Sequence, residues 1–244
     1  MKYSIFLAGA TGVIGRRLVP LLLDAGHHVV CMSRSAQSSE RFRGAEFVVA
    51  NVFDVDSVAR AVAAAKPDVI VHQLTDLSGL HDPASYGDAI KRNARIRAEG
   101  TRHLISAAQA ANVPRVIAQS IAWAYAPGPT PHKEEDPLDV SADEPRATTI
   151  RGVIALEDAV LHSPPIAGTI LRYGQLYGPG TGKNAPDGSA PVHVDAAAFA
   201  ALLALEPGAT GIFNIAERGG VVTTERATST LHWNADLRLR QESA

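Results

Sequence analysis

Short apolar runs alternate along this chain with stretches in which apolar residues recur every three or four positions. Residues 3–8, 28–32, Glu46–Val49, 68–73, 115–120, 168–173 and Gly211–Ile215 are the apolar runs, and each predicts a strand. Residues 13–25 put Leu18, Leu21 and Leu22 on one face and stop at Gly26, which predicts a helix. Further helices are predicted over Val55–Ala65, 90–111, 148–161, 195–205 and 223–231, with Asp195 as the N-cap of its helix. Strands alternating with helices predict right-handed βαβ units and a parallel sheet. Strands that are apolar throughout predict a sheet covered on both faces. The expected fold is α/β, a Rossmann-type doubly wound parallel sheet. It is read as a single domain over residues 1–244: residues 1–165 mainly bind a dinucleotide, and residues 166–244 form a small C-terminal part on the substrate side.

Two stretches break the alternation. Residues 126–145 carry Pro127, Pro129, Pro131, Pro137 and Pro145 around the acidic run Glu134-Glu135-Asp136. A loop of this length is read as a lid or binding loop, with a solvated surface excursion as the alternative. Residues 177–191, rich in glycine and proline, form a second loop.

The chemistry begins at Gly9-Ala10-Thr11-Gly12-Val13-Ile14-Gly15, which follows the first strand and opens the first helix. Gly9 permits a tight turn out of the strand, Gly12 lets the backbone approach a pyrophosphate, and Gly15 lets the helix pack closely. Unpaired N–H groups and a partial positive charge at the helix start favour the phosphates. In this strand–turn–helix context the motif predicts a dinucleotide site that includes Thr11, Val13 and Ile14. The second strand ends Cys31-Met32-Ser33-Arg34-Ser35, with no carboxylate to bind a ribose hydroxyl. Arg34 suits a 2′-phosphate, with Ser33 beside it, so NADP(H) is expected over NAD(H). Asn51 and Val52 follow the third strand.

Charge narrows the partners. With 23 Lys and Arg against 25 Asp and Glu, the formal net charge is -2. No basic excess points to nucleic acid or to an anionic membrane. Cys31 is the only cysteine, so neither an internal disulfide nor a cysteine zinc cage can form, and its apolar run predicts burial. No metal site is expected, because His72, His81 and His193 lack metal-ligand spacing. The N-terminal apolar run breaks at once into the glycine turn, so a signal peptide is not expected and a cytoplasmic location is.

Further motifs carry a resemblance. Asp68-Val69-Ile70-Val71-His72-Gln73-Leu74-Thr75, Glu99-Gly100-Thr101-Arg102-His103-Leu104, Leu171-Arg172-Tyr173-Gly174-Gln175-Leu176-Tyr177-Gly178-Pro179-Gly180 and Val192-His193-Val194-Asp195 recur in this order. With the GxxGxxG spacing they resemble the extended or atypical short-chain dehydrogenase/reductases, the NAD(P)-dependent epimerase/dehydratase family. The resemblance implies that Asn51 and Val52 meet the adenine, with the Asn51 side-chain oxygen able to accept from its amino group, that Gln73, Leu74 and Thr75 lie along the cofactor, and that Tyr173 lies near the nicotinamide. It also implies substrate contacts at Trp123, Gln175 and His81, and makes a homodimer through the two long helices a candidate assembly. Residues 224–233 resemble the family's closing helix, so the chain reads as complete.

The same resemblance exposes a gap. The family's proton relay uses a tyrosine with a lysine four residues later, one helical turn apart. No such pair occurs in this chain. Aligned on Glu157, Thr149 stands at the tyrosine position and Val153 at the lysine position. Ser120, displaced by one from the family's catalytic serine, and Tyr125 are the substitute candidates, with packing or substrate contact as the alternative for Tyr125. Three functions follow: an NADP(H)-dependent oxidoreductase with a non-standard proton donor, acting on a small or medium carbonyl or alkene; a non-catalytic NAD(P)-binding sensor; and, ranked last, a nucleotide-sugar epimerase or dehydratase.

Overall fold

The computed structural model describes residues 1–35, 42–79 and 82–239. Seven parallel strands form the central sheet: β1 (Ser4–Ala8), β2 (His28–Ser33), β3 (Glu46–Val49), β4 (Val69–His72), β5 (Arg115–Ile121), β6 (Ala167–Tyr173) and β9 (Gly211–Ile215). Their spatial order is β3-β2-β1-β4-β5-β6-β9. The chain therefore runs outward from β1 on one side and from β4 on the other. A crevice opens beyond the carboxyl ends of that adjacent pair, where Ala8 is in register with His72. A two-stranded ladder of β7 (Gln175–Tyr177) and β8 (Pro191–His193) stands apart from the main sheet. These strands have three residues each, too few to show an apolar period.

The period of two along each strand divides the core into two layers. Ile5, Leu7, Val29, Cys31, Val69 and Val71 pack with Leu18 and Leu22 of α1 (Gly15–Asp24) and with the alanine-rich α6 (Val194–Leu203). Phe6, Ala8, Val30, Met32 and Ile70 face the other way. They pack against Val58 and Val62 of α2 (Val55–Ala65), Leu104 of α4 (Thr101–Ala110) and Leu156 of α5 (Arg146–Leu161). The closing helix α7 is Glu225–Thr230, and Trp233 after it is buried in the first layer.

Three expectations change. The helix predicted over residues 90–111 begins earlier and is interrupted: α3 (Tyr86–Arg95) passes through a π turn at Ile96–Gly100 before α4. Asp195 does not cap α6, because Val194 is already helical. His193 is the cap, with extended backbone, and its Nδ1 accepts the Asp195 N–H. The Asp195 carboxylate instead holds Arg17 and the Leu239 N–H. The loop over 126–145 is anchored rather than lid-like. Glu134 is buried with its carboxylate on the Asn214 N–H, and His132 bridges to Val222.

Helices α3 and α5 lie on each other. A Cβ at Gly152 would come within 2.9 Å of the Ala94 Cα, so glycine is what allows this approach.

Candidate functional site

Two adjoining cavities fill the crevice, of about 960 Å³ on the β2 side and about 740 Å³ on the β6 side. Gly12, Gln73, Thr75 and Leu77 belong to both walls. The glycine turn thus stands between two compartments, as a turn gripping the middle of a dinucleotide must.

Each glycine of the turn answers to a different neighbour. Gly9 has φ +103°, and a Cβ there would stand 2.5 Å from the Gln73 carbonyl oxygen. At Gly15 it would stand 2.2 Å from the Gly9 oxygen and 2.6 Å from the Ala10 oxygen. These two glycines are required by the protein's own packing. At Gly12 a Cβ would meet only the Gly9 oxygen, at 3.3 Å. The space over Gly12 faces both cavities and is free of protein. Helix α1 starts behind it with no side-chain cap at Ile14 and no acidic residue in the first turn, leaving its N-terminus suited to an anion.

In the larger cavity the expected residues come together. Ser33, Arg34, Ser35, Asn51, Val52, Leu74 and Thr75 all line it with Gly9 and Thr11. The Ser33 hydroxyl accepts the Ser35 N–H, which shapes the turn around Arg34. Asn51 Oδ1 accepts the Phe53 N–H at 3.1 Å, leaving its other lone pair for a ligand. Sequence reasoning missed Phe53 and Arg95. They share this wall, with the guanidinium 4.1 Å over the ring and held by both carboxylate oxygens of Glu99.

Val13, Ile14, Ser120, Trp123, Tyr173 and Gln175 line the smaller cavity. Gln73 is buried at the junction, its Nε2 3.4 Å from the Tyr173 hydroxyl, while its Oε1 is buried with no hydrogen-bond partner. Gln175 Oε1 accepts the Ala190 N–H, so its carbonyl is engaged by the small ladder. Ser120 gives its proton to Glu157 Oε1 at 2.7 Å. Tyr125 does not line this cavity. Its hydroxyl donates to Asn214 Oδ1 at 2.7 Å and accepts from Arg172 Nη1 at 2.8 Å. Burial raises its pKa, against the opposing charge of Arg172. The expected proton donor is thus a phenol committed on both sides. His81 lies outside the described residues.

Thr149 lines the smaller cavity, whereas Val153, one turn on, is buried with Ala124 and Ile150. The titratable groups on this wall are three cations, Arg97, Arg146 and Lys183, and two phenols, Tyr86 and Tyr173. Burial pushes the Tyr173 phenol well above its usual range. No aspartate, glutamate, histidine or cysteine lines this cavity among the described residues.

His72 serves structure. His72 is fully buried, with Nε2 3.0 Å from Thr101 Oγ1 and Nδ1 accepting the Leu74 N–H. Burial, and next the charge of Arg97, pull its pKa down to about 4, so the ring is neutral. Burial pushes the Cys31 thiol up to about 12, as suits an inert core residue. No group of three or more His, Cys, Asp or Glu among the described residues could hold a metal ion. No described helix is long and apolar enough to cross a membrane.

A curated relative, the 3-diazoavenalumate denitrifying reductase of a Streptomyces species, is 43% identical over 234 residues, spanning 87% of this chain and 75% of that protein. Among solved structures, the UDP-glucuronic acid 4-epimerase of Bacillus cereus has a TM-score of 0.77 at 17% identity, covering 98% of this chain and 95% of that one. The UDP-glucose 4-epimerase of Thermotoga maritima has a TM-score of 0.74 at 19% identity, covering 98% and 94%. At such identities these two share the fold. The sequence pattern of the NAD-dependent epimerase/dehydratase family matches residues 5–204, from the first strand through the helix that follows the small ladder, and the chain belongs to that family.

Proposed function

We propose that this protein is an NADPH-dependent reductase whose hydride acceptor requires no proton from the enzyme, an arene diazo group being the acceptor that fits best. The observation that carries this reading is the smaller cavity's wall, which has three cations and two phenols but, among the described residues, no aspartate, glutamate, histidine or cysteine to serve as an acid. Reducing a carbonyl leaves an alkoxide that must be protonated, and the chain has no tyrosine with a lysine one helical turn on to do it. The Ser120 proton is held by Glu157, and the Tyr125 phenol is committed to Asn214.

The residues fit the cofactor. The turn at Gly12 and the uncapped start of α1 would hold the pyrophosphate. Arg34 would meet the 2′-phosphate, and Phe53 with Arg95 the adenine. Gln73 Oε1, buried and unpartnered at the junction, is available to a nicotinamide-side donor. The bound cofactor supplies a hydride. A hydride delivered to the carbon of an arenediazonium ion would form a C–H bond as the C–N bond breaks, and dinitrogen would leave with no proton transferred. The charges balance, since a cation takes up a hydride to give a neutral arene and neutral N₂. The relative that is 43% identical, a 3-diazoavenalumate denitrifying reductase, supports the same chemistry.

The test is to incubate the protein with NADPH and an arenediazonium carboxylate and to follow dinitrogen release and cofactor oxidation against a protein-free control. Release above the control, with simple ketones inert, is expected. Robust turnover of ketones with no acceleration of dinitrogen loss would overturn the reading.

A further inference from the structure

Arg97 is 5% exposed and lines the smaller cavity, yet makes no hydrogen bond or ion pair within reach of any described side chain or carbonyl. The other two cations on this wall are partnered. Arg146 is paired with Asp139 at 2.7 Å and donates to the carbonyls of Trp123 and Tyr125, and Lys183 is paired with Asp187. Glu157 is the carboxylate whose charge supports Arg97. It is already occupied, because Arg172 takes both of its oxygens and Ser120 adds a third hydrogen bond. Glu134, the other buried glutamate, is directed to the Asn214 N–H. The nearby His72 ring is neutral and adds no counter-charge. Burial lowers the Arg97 pKa to about 10 against the opposing charge of Glu157, so the guanidinium stays charged at neutral pH.

An unpaired buried guanidinium is costly to a fold, and buried charges are as a rule paired. This one sits in the π turn between α3 and α4, an irregularity that often marks a functional position in a helix. Its planar fork matches a carboxylate. The wall around it also presents Trp123, Ile90 and Leu176, which suit a flat apolar body attached to that anion.

We propose that Arg97 is the anchor for a carboxylate on the substrate, so that the smaller cavity selects aromatic acids over their neutral analogues. This deepens the reductase reading and rests on its assignment of this cavity to the substrate. The anion is placed by Arg97, away from the pyrophosphate turn, because Arg97 belongs to the smaller cavity alone whereas Gly12 belongs to both.

Calorimetric binding of cinnamate and of its neutral amide, with and without NADP⁺, tests the proposal on the wild-type chain, Arg97→Met and Arg97→Lys. The wild type should prefer the acid by about 10- to 100-fold, the scale of one charge-assisted hydrogen bond. Arg97→Met should bring the two probes to within about threefold of each other while leaving NADPH affinity and thermal stability at least as high. Arg97→Lys should keep part of the preference. Equal binding of acid and amide by the wild type, absence of cinnamate binding, or an unchanged preference in Arg97→Met would overturn the proposal. So would loss of NADPH affinity in that variant, which would assign the guanidinium to a cofactor phosphate. A preserved acid preference without dinitrogen release would remove the reductase reading and leave the carboxylate site standing.

Discussion

Arg172 grips Glu157 at both carboxylate oxygens, Nε to Oε1 at 2.9 Å and Nη2 to Oε2 at 2.6 Å, with both side chains almost wholly buried. The pair joins β6 to α5 behind Ser120. Breaking a buried pair from one side leaves an uncompensated charge and costs about 3–5 kcal/mol. Glu157→Gln is therefore expected to shift the urea midpoint strongly downward, and Glu157→Asp less so. Denaturation curves check this, and a change of less than about 1 kcal/mol would show that the pair is not holding α5.

Tyr125 is bonded to both Asn214 and Arg172 but does not face the cavity. Tyr125→Phe should cost about 1–3 kcal/mol of stability by stranding two buried groups. It should leave kcat for reduction within about threefold of wild type, a change of under 1 kcal/mol in barrier. A loss of kcat by orders of magnitude with a normal fold would restore the phenol to the mechanism.

Gly12→Ala and Gly15→Ala separate ligand space from packing space. At Gly12 the added methyl meets one protein atom at 3.3 Å, so stability should change by less than about 1 kcal/mol. NADPH affinity should fall at least about tenfold as the methyl enters the pyrophosphate space. At Gly15 the methyl would stand 2.2 Å from a backbone oxygen, and the cost should appear as about 1–3 kcal/mol or more of lost stability. Circular dichroism melts and cofactor calorimetry on both variants check the contrast.

His72 supplies a pH dependence with a definite sign. Burial, followed by Arg97, lowers its pKa from 6.5 to about 4 in the folded chain. Between those values the unfolded chain binds more protons, so stability falls as pH falls. The contribution is whole above pH 6.5 and is lost progressively down to pH 4, amounting to about 3 kcal/mol. Melting temperature against pH should flatten over this window in His72→Gln. An unchanged slope would remove His72 from the acid limb.

What the sequence made legible was local. The turn Gly9 to Gly15 could be read because a strand, three glycines and a helix are contiguous, and it stands at the junction of the two cavities. Arg34 was legible as a cation where a carboxylate was expected. Arg97 was not, because among Lys91, Arg92, Arg95 and Glu99 it looks like one more charge on a solvated helix face. The π turn, which no periodicity announces, sets it in a buried wall. Tyr125 was visible as an aromatic residue after a strand, but its orientation depends on Asn214, 89 residues away. The anchoring of residues 126–145 was hidden for the same reason, since Glu134 reaches Asn214 across 80 residues.

The most direct measurement is the origin of the hydrogen that replaces dinitrogen. NADPH deuterated at the transferring carbon of its nicotinamide should place deuterium on the arene carbon that bore the diazo group, and a run in heavy water with ordinary NADPH should place none there. Hydrogen drawn from solvent at that carbon, or product formed without cofactor oxidation, would contradict a hydride transfer that needs no proton from the protein.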